Sequence, residues 1–329
     1  MAPNTKTLLV PTNMSAAGLE VLAARADVQV TIYPPAIAPP ELHALLRDAA
    51  GIALSYTRFG RAELDAAPRL QVVARVGVGF DAVEVPALTA AGIPLMIAGS
   101  ANARSVAEHA LYFMFALAKR GKYMDGLVHA GLRHERKVKM PMELSGKTVL
   151  IVGFGRIGTR IARRCAGLEM TVLVHDPYVA AAAIRDAGCE PAANLDAALA
   201  RADFVSIHCP KNAETTGMFG PARLARMKPG AFLINTARGG IVDEAALHAA
   251  LLSGALGGAG LDVFSPEPPP AAHPLLQLEN VVASPHMAGV TQEAADAMAA
   301  AACRNMLDVL DGTPDPANVV NRDVLRAFA

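Results

Sequence analysis

The chain has 329 residues, 53% of them apolar and 18% charged, which is material for two domains with real cores and excludes a disordered protein. Thirty basic residues balance thirty acidic ones, so there is no net field for wrapping nucleic acid or holding an anionic membrane. The four cysteines (Cys165, Cys189, Cys209, Cys303) show no C-x-x-C spacing, which excludes a disulfide framework and fits reduced thiols in a cytoplasmic protein.

The first residues carry no charged region followed by an apolar run, so no secretory signal is expected. Residues 110–118 form the longest strongly apolar stretch, about half of a membrane span. In the first hundred residues, β-branched runs at 7–10, 28–32, 51–55, 71–75 and 94–97 alternate with helical stretches such as 15–25 and 40–50. That alternation predicts parallel strands with crossover helices, in a small flavodoxin-like sheet. Residues 102–120 read as one long helix, apolar on nearly every side. The basic stretch at 121–146, with Arg133, Arg136, Lys137 and Lys139, reads as a linker.

A second series of strands is predicted at 148–152, 171–175, 203–209, 231–235, 258–262 and 281–284, the number in a full dinucleotide-binding sheet. A last helix at 292–310 ends before Asp311-Gly312-Thr313-Pro314. Between the first strand of this series and its helix stands Gly153-Phe154-Gly155-Arg156-Ile157-Gly158, a G-x-G-x-x-G match in the right context. Its glycines allow a tight turn, close approach of a pyrophosphate and close helix packing, and the helix N-terminus favours phosphate. Asp176 ends the next strand, 18 residues past Gly158, where a carboxylate accepts from a ribose diol and repels a 2′-phosphate. Pro177, Tyr178 and Val179 follow with no arginine to neutralise that phosphate, so NAD is expected rather than NADP.

Three polar residues follow later strands of the series: Arg238, Glu267 and His286. Singly each has a dull explanation, as a turn cap, a solvated acid or a backbone-bonded ring. Together, downstream of a dinucleotide fingerprint, they match the needs of 2-oxo acid reduction. An arginine fork binds the carboxylate, and a histidine moves the proton. A glutamate on the other ring nitrogen fixes the tautomer and favours the imidazolium.

These stretches resemble the D-isomer specific 2-hydroxyacid dehydrogenase family, especially its phosphoglycerate dehydrogenase-like branch. The further matches are Arg75-Val76-Gly77-Val78-Gly79-Phe80-Asp81, Asn102-Ala103-Arg104-Ser105-Val106-Ala107-Glu108, Asn235-Thr236-Ala237-Arg238-Gly239-Gly240, Gly260-Leu261-Asp262-Val263-Phe264 and Ser284-Pro285-His286, in the family's order. The resemblance implies an α/β protein of two domains. A Rossmann, doubly wound NAD-binding domain (102–289) is inserted into a flavodoxin-like substrate domain (1–101 and 290–329). It implies an NAD-dependent oxidoreductase that transfers hydride between nicotinamide and a small 2-hydroxy or 2-oxo acid, usually as a homodimer through the cofactor domain. Arg238 then binds substrate, Glu267 partners the histidine and His286 is the acid/base. Cofactor contacts implied besides Gly153, Gly155 and Gly158 are Arg156 and Ile157 at the pyrophosphate, Asp176 at the ribose, and Cys209, Pro210 and Thr215 on the adenine side. Thr236, Ala237 and Asp262 fall near the nicotinamide, with Val78 and Gly289 completing the set. Substrate contacts fall on Gly77, Val78, Asn102, Arg104 and Arg238. No metal is expected.

Some features bear on substrate choice. The chain ends at Ala329 without the regulatory domain of longer relatives, so serine feedback through such a domain is not expected. Arg104 stands where a helix begins and can serve a second anionic group, with Arg58 and the basic stretch as weaker candidates. Cys209 has no base beside it and reads as a cofactor-side contact, not a nucleophile. The leading substrate is 3-phosphoglycerate or a similar dianion, with hydroxypyruvate and sulfolactate-type acids as rivals. Glyoxylate reduction with NADPH is disfavoured by Asp176, and a formate dehydrogenase by Glu267. A different class, an NAD(H)-sensing corepressor-like scaffold, is disfavoured by the intact Arg238, Glu267 and His286.

Overall fold

Parallel strands need a crossover between neighbours, and the Ala- and Leu-rich stretches of this chain supply them as helices. The computed structural model describes residues 5–328. They fall into two units, one running to Asn102 and resuming at Val290, the other being Ala103–Gly289.

The first unit contains β1 (Lys6–Pro11), α1 (Ala16–Ala23), β2 (Val28–Tyr33), α2 (Pro39–Leu46), β3 (Ala49–Leu54), α3 (Arg61–Asp65), β4 (Val72–Arg75), α4 (Val85–Ala90) and β5 (Leu95–Met96). The strands pair in parallel in the order β2-β1-β3-β4-β5. Leu8 and Val72 point to one face and Leu9 and Val73 to the other, and both faces are buried.

The second unit begins with α5 (Ala103–Ala118) and α6 (Gly121–His129). It continues with β6 (Thr148–Val152), α7 (Gly158–Gly167), β7 (Thr171–His175), α8 (Ala181–Asp186), β8 (Glu190–Pro191), α9 (Leu195–Leu199) and β9 (Phe204–Ile207). Its second half is α10 (Pro221–Leu224), β10 (Phe232–Asn235), α11 (Glu244–Leu252), β11 (Gly258–Leu261) and β12 (Val281–Ala283). Seven parallel strands form one sheet in the order β12-β11-β10-β9-β6-β7-β8. The order reverses between β6 and β9, which opens a crevice at their carboxyl ends. Gly260 of β11 lets α5 lie close, since a Cβ there would come within 2.6 Å of the Phe113 side chain. The chain then returns to the first unit through α12 (Gln292–Leu310), which is capped by the Thr291 hydroxyl. Ala299, Ala302, Cys303 and Met306 of α12 share a core with Leu8 and Val72.

Several expectations are corrected. The helix expected over 40–50 stops at Leu46, because Ala49 and Ala50 are buried as the start of β3, with Ala49 opposite Thr7. Sheet pairing overrides the helical preference of alanine there. The stretch expected to be a linker begins as helix α6, followed by a 3₁₀ turn at Arg133–Glu135. Tyr123, Met124 and Leu127 fall on one face of α6, a spacing hidden in sequence by the surrounding charges. The second sheet has seven strands where six were expected. The extra one, β8, pairs only Glu190 and Pro191 with β7 at the sheet edge, where a proline is tolerated. All four cysteines are free thiols, and no helix of the described residues is long and apolar enough to cross a membrane.

Candidate active site

The three fingerprint glycines do different work in the second unit. Gly153 leaves β6 with φ +97° and donates to the His175 carbonyl at 2.9 Å. A Cβ on it would lie 2.7 Å from the Cys209 nitrogen, so the turn presses against the end of β9. Gly158 opens α7, and a Cβ there would stand 2.0 Å from the Gly153 carbonyl oxygen. Around Gly155 nothing lies within 4 Å of the Cβ position. That open space borders a cavity of about 610 Å³ lined also by Gly153, Asp176, Cys209, Pro210 and Thr215. Arg156 and Ile157 lead from the turn into α7.

Asp176 holds the turn as well as facing the cavity. Its Oδ2 accepts from the Phe154 N–H at 2.8 Å and its Oδ1 from the Tyr178 N–H at 2.9 Å. A carboxylate has further lone pairs for a ribose diol beyond these two. On the same rim, the Tyr178 hydroxyl donates to Glu214 at 2.5 Å. Burial pushes the Cys209 thiol up to about 11, against a nucleophilic role.

Among the described residues, two of the buried polar atoms that lack a hydrogen-bond partner lie just past β9 and β10. His208 meets Ser206 through Nε2 at 2.7 Å, while its Nδ1 is buried and unpaired. Burial pushes this imidazole down to about 3. Thr236 is buried just after β10, and its Oγ1 is also unpaired. Orphaned polar atoms at the carboxyl ends of β9 and β10, next to an open glycine turn, fit a polar ligand along that edge. The donor set, the space at Gly155 and the carboxylate at Asp176 fit a dinucleotide.

Farther along the same edge stand the three polar candidates. Asn235 ends β10 and shapes the next turn: its side chain accepts from Ala237 N at 3.0 Å and donates to the Arg238 carbonyl at 2.9 Å. Arg238 donates through Nη1 to the Ala237 carbonyl at 2.7 Å. The following Gly239 abuts the chain after β11, since a Cβ would lie 1.9 Å from the Phe264 carbonyl oxygen. That packing brings the Arg238 turn against the segment leading to Glu267. His286 follows β12, and its Nδ1 lies 2.9 Å from Glu267 Oε2. Both side chains are partly exposed, 47% and 38%, so the pair faces accessible space.

The sequence reading did not anticipate how the His286 loop is held. Asp262 is only 1% exposed, and its carboxylate accepts from Ser284 Oγ at 2.5 Å, Met287 N at 2.7 Å and Ala288 N at 2.9 Å. The residue expected beside a nicotinamide thus also engages the loop through its carboxylate. Gly289 ends this loop as the last residue of the unit. Arg104 is exposed in the first turn of α5. Gly77, Val78 and Asn102 belong to the first unit, where Arg75 braces the loop after β4 by donating to the Gly79 carbonyl at 2.8 Å. His208, Tyr178 and Glu214 were missed as site residues, and none belongs to a short motif that would have flagged it; Ser284 stands in the Ser284-Pro285-His286 match, but its bond to Asp262 shows only in the fold.

A family model described as D-isomer specific 2-hydroxyacid dehydrogenase, NAD binding domain, matches residues 111–288. The chain belongs to that family. It is 41% identical over 240 residues to a D-3-phosphoglycerate dehydrogenase of Archaeoglobus fulgidus, covering 73% of this chain and 45% of that protein. It is 37% identical over 297 residues to a glyoxylate reductase of Thermofilum pendens, covering 88% of this chain and 87% of that one. The crystal structure of the TT0316 protein from Thermus thermophilus superposes with a TM-score of 0.85 at 32% identity, over 95% of this chain and 99% of that one. The chain spans about half the length of the phosphoglycerate dehydrogenases it matches. The cofactor of this family domain is NAD, and the crevice described above fits it.

The different surroundings of the fingerprint glycines make their roles separable. Gly158→Ala forces the turn apart and lowers stability by about 1–3 kcal/mol in urea denaturation. Gly155→Ala leaves the urea midpoint unchanged and weakens NADH binding by about tenfold in a fluorescence titration, because its methyl occupies ligand space. Equal loss of stability in the two variants contradicts this division of labour.

The buried His208 makes stability depend on pH. Its folded-state value, about 3, lies below its ordinary 6.5, so the unfolded chain binds the extra proton between those values. Stability is therefore full above about pH 6.5 and declines as pH falls toward 3. The His208→Gln variant loses less stability between pH 6.5 and 4 in urea titrations. A decline as steep as in the parent protein removes His208 as a cause.

Proposed function

We propose that the chain is an NAD-dependent dehydrogenase that interconverts a D-2-hydroxy acid and its 2-oxo acid, in the manner of phosphoglycerate dehydrogenases. The observation that carries this reading is the 2.9 Å contact between His286 Nδ1 and Glu267, on the same sheet edge as the dinucleotide crevice. Bound in that crevice, NAD supplies the hydride exchange with the substrate's C2. The protein's own groups handle the carboxylate and the proton.

Glu267 occupies one ring nitrogen of His286 and leaves Nε2 to face the substrate oxygen. In reduction the imidazolium keeps its Nδ1–H on Glu267 and gives the Nε2 proton to the carbonyl oxygen, which becomes the hydroxyl. In oxidation the neutral ring takes that proton back. Arg238, held by the Asn235 turn beside the Glu267 segment, binds the substrate carboxylate through its planar fork. Arg104 is assigned to a second anionic group, which places 3-phosphoglycerate or a similar dianion first, ahead of hydroxypyruvate and sulfolactate-type acids. We further propose a homodimer through the second unit and a cytoplasmic location. Tyr112 and Phe115 on α5, Val128 on α6, and Val138 and Met140 beyond it are exposed apolar side chains that a second copy would cover.

NADH oxidation is measured against 3-phosphohydroxypyruvate, hydroxypyruvate, sulfopyruvate, pyruvate, glyoxylate and 2-oxoglutarate, with NADPH in parallel. The expected result is turnover with NADH, fastest on the dianions. His286→Ala lowers turnover by about a hundredfold or more while NADH affinity stays within about twofold. Silence across the panel with NADH still bound overturns the enzyme reading in favour of a nucleotide-sensing scaffold. Sedimentation tests the assembly separately: Phe115→Glu yields monomers from a dimeric parent, and an already monomeric parent refutes the dimer.

A further inference from the structure

Behind the His286 loop lies a histidine that the proposed reaction does not use. His109 sits on α5, edge-on to Phe113 with ring centroids 4.6 Å apart. Its Nε2 lies 2.8 Å from Ser284 Oγ, and that hydroxyl lies 2.5 Å from Asp262 Oδ1. Asp262 in turn accepts from the amides of Met287 and Ala288, and its main-chain carbonyl accepts from His286 N at 2.8 Å. The chain of contacts thus ends on both sides of His286.

The direction of each bond follows from counting protons. A serine hydroxyl has one proton, and Asp262 offers only lone pairs, so Ser284 donates to Asp262. Ser284 then has only acceptor capacity for His109, so the ring must present an N–H at Nε2. Burial holds His109 below the ordinary imidazole range against the opposing pull of Asp262, which leaves the ring neutral with one proton to place.

We propose that His109 is a positioning residue for His286: as its Nε2–H tautomer it donates to Ser284, fixing the hydroxyl that fixes Asp262 and with it the His286 loop. The effect on turnover rests on the dehydrogenase reading. The tautomer and the chain of bonds do not. Without the N–H donor the Ser284 hydroxyl is free to rotate away from Asp262, and the His286 ring loses its fixed place against Glu267.

The test compares His109→Gln, which keeps an N–H donor in reach of Ser284, with His109→Leu, which keeps bulk and loses the donor. In the leucine variant kcat falls by about ten- to a hundredfold while NADH affinity stays within about twofold. The glutamine variant recovers at least about half of parental kcat. Equal impairment of the two variants, or a leucine variant with near-parental kcat, overturns the proposal. Should His109→Leu fail to fold, Ser284→Ala breaks the same chain and gives the same kcat deficit. In the folded case the double variant is no worse than the worse single one, and losses that multiply overturn the chain. Nitrogen-15 spectra of the parent protein provide the readout independent of turnover. A proton on Nε2 of His109 supports the proposal, and the Nδ1–H tautomer overturns it even if the dehydrogenase assay succeeds. If the parent shows no turnover, the dehydrogenase reading falls and the spectrum alone decides this inference.

Discussion

A buried carboxylate organises the chemistry of the second unit. Asp262 is nearly sealed from water at the end of β11, and an unpaired charge there would cost several kcal/mol. It avoids that cost by gathering the Ser284 hydroxyl and the amides of Met287 and Ala288. Those donors can converge only if the chain after β12 wraps tightly, and His286 sits inside the wrap with φ +54°. A side chain in that left-handed region costs about 1–2 kcal/mol and persists where its surroundings over-determine it. The acid therefore sets the backbone conformation that aims His286 at Glu267.

The sheet makes this arrangement possible. β11 and β12 are neighbours, with Leu261 opposite Ala283, so the residues just past their ends meet without a long loop. β10 lies on the other side of β11, and the Gly239 turn packs onto the Phe264 carbonyl, so Arg238 joins the same cluster. Farther along the edge, β9 and β6 part at the reversal of strand order and leave the glycine turn, Asp176 and the unpaired atoms of His208 open to a ligand. One parallel sheet thus brings an open crevice and the paired His286 and Glu267 side chains to a single edge.

Much of this was legible in the sequence, for physical reasons. The glycine fingerprint and Asp176 are local features whose strand–turn–helix context can be read within about thirty residues, and Arg238, Glu267 and His286 each follow an apolar run. The membership in a family of D-2-hydroxyacid dehydrogenases and the doubly wound fold were readable on the same grounds. What was not legible depends on pairing across distance. His109 and Ser284 stand 175 positions apart, and nothing in either neighbourhood announces the other. The helical spacing of Tyr123, Met124 and Leu127 was masked by charges. The burial of Ala49 and Ala50 depends on Thr7, a partner far back in the chain. Asp262 was recognised by its motif, but its engagement with three donors becomes visible only when the loop is folded.

Asp176 lines the crevice and also holds a turn. The same carboxylate anchors the amides of Phe154 and Tyr178, and so closes the glycine turn. A drift toward the phosphorylated cofactor cannot begin by simply deleting this acid, because an alanine would orphan both amides and loosen the turn needed for either dinucleotide. The accessible route passes through a short uncharged acceptor such as asparagine or serine, with a nearby cation gained afterwards. Cofactor choice in this chain is therefore constrained by foldability as well as by recognition, and the path between the two preferences is narrow.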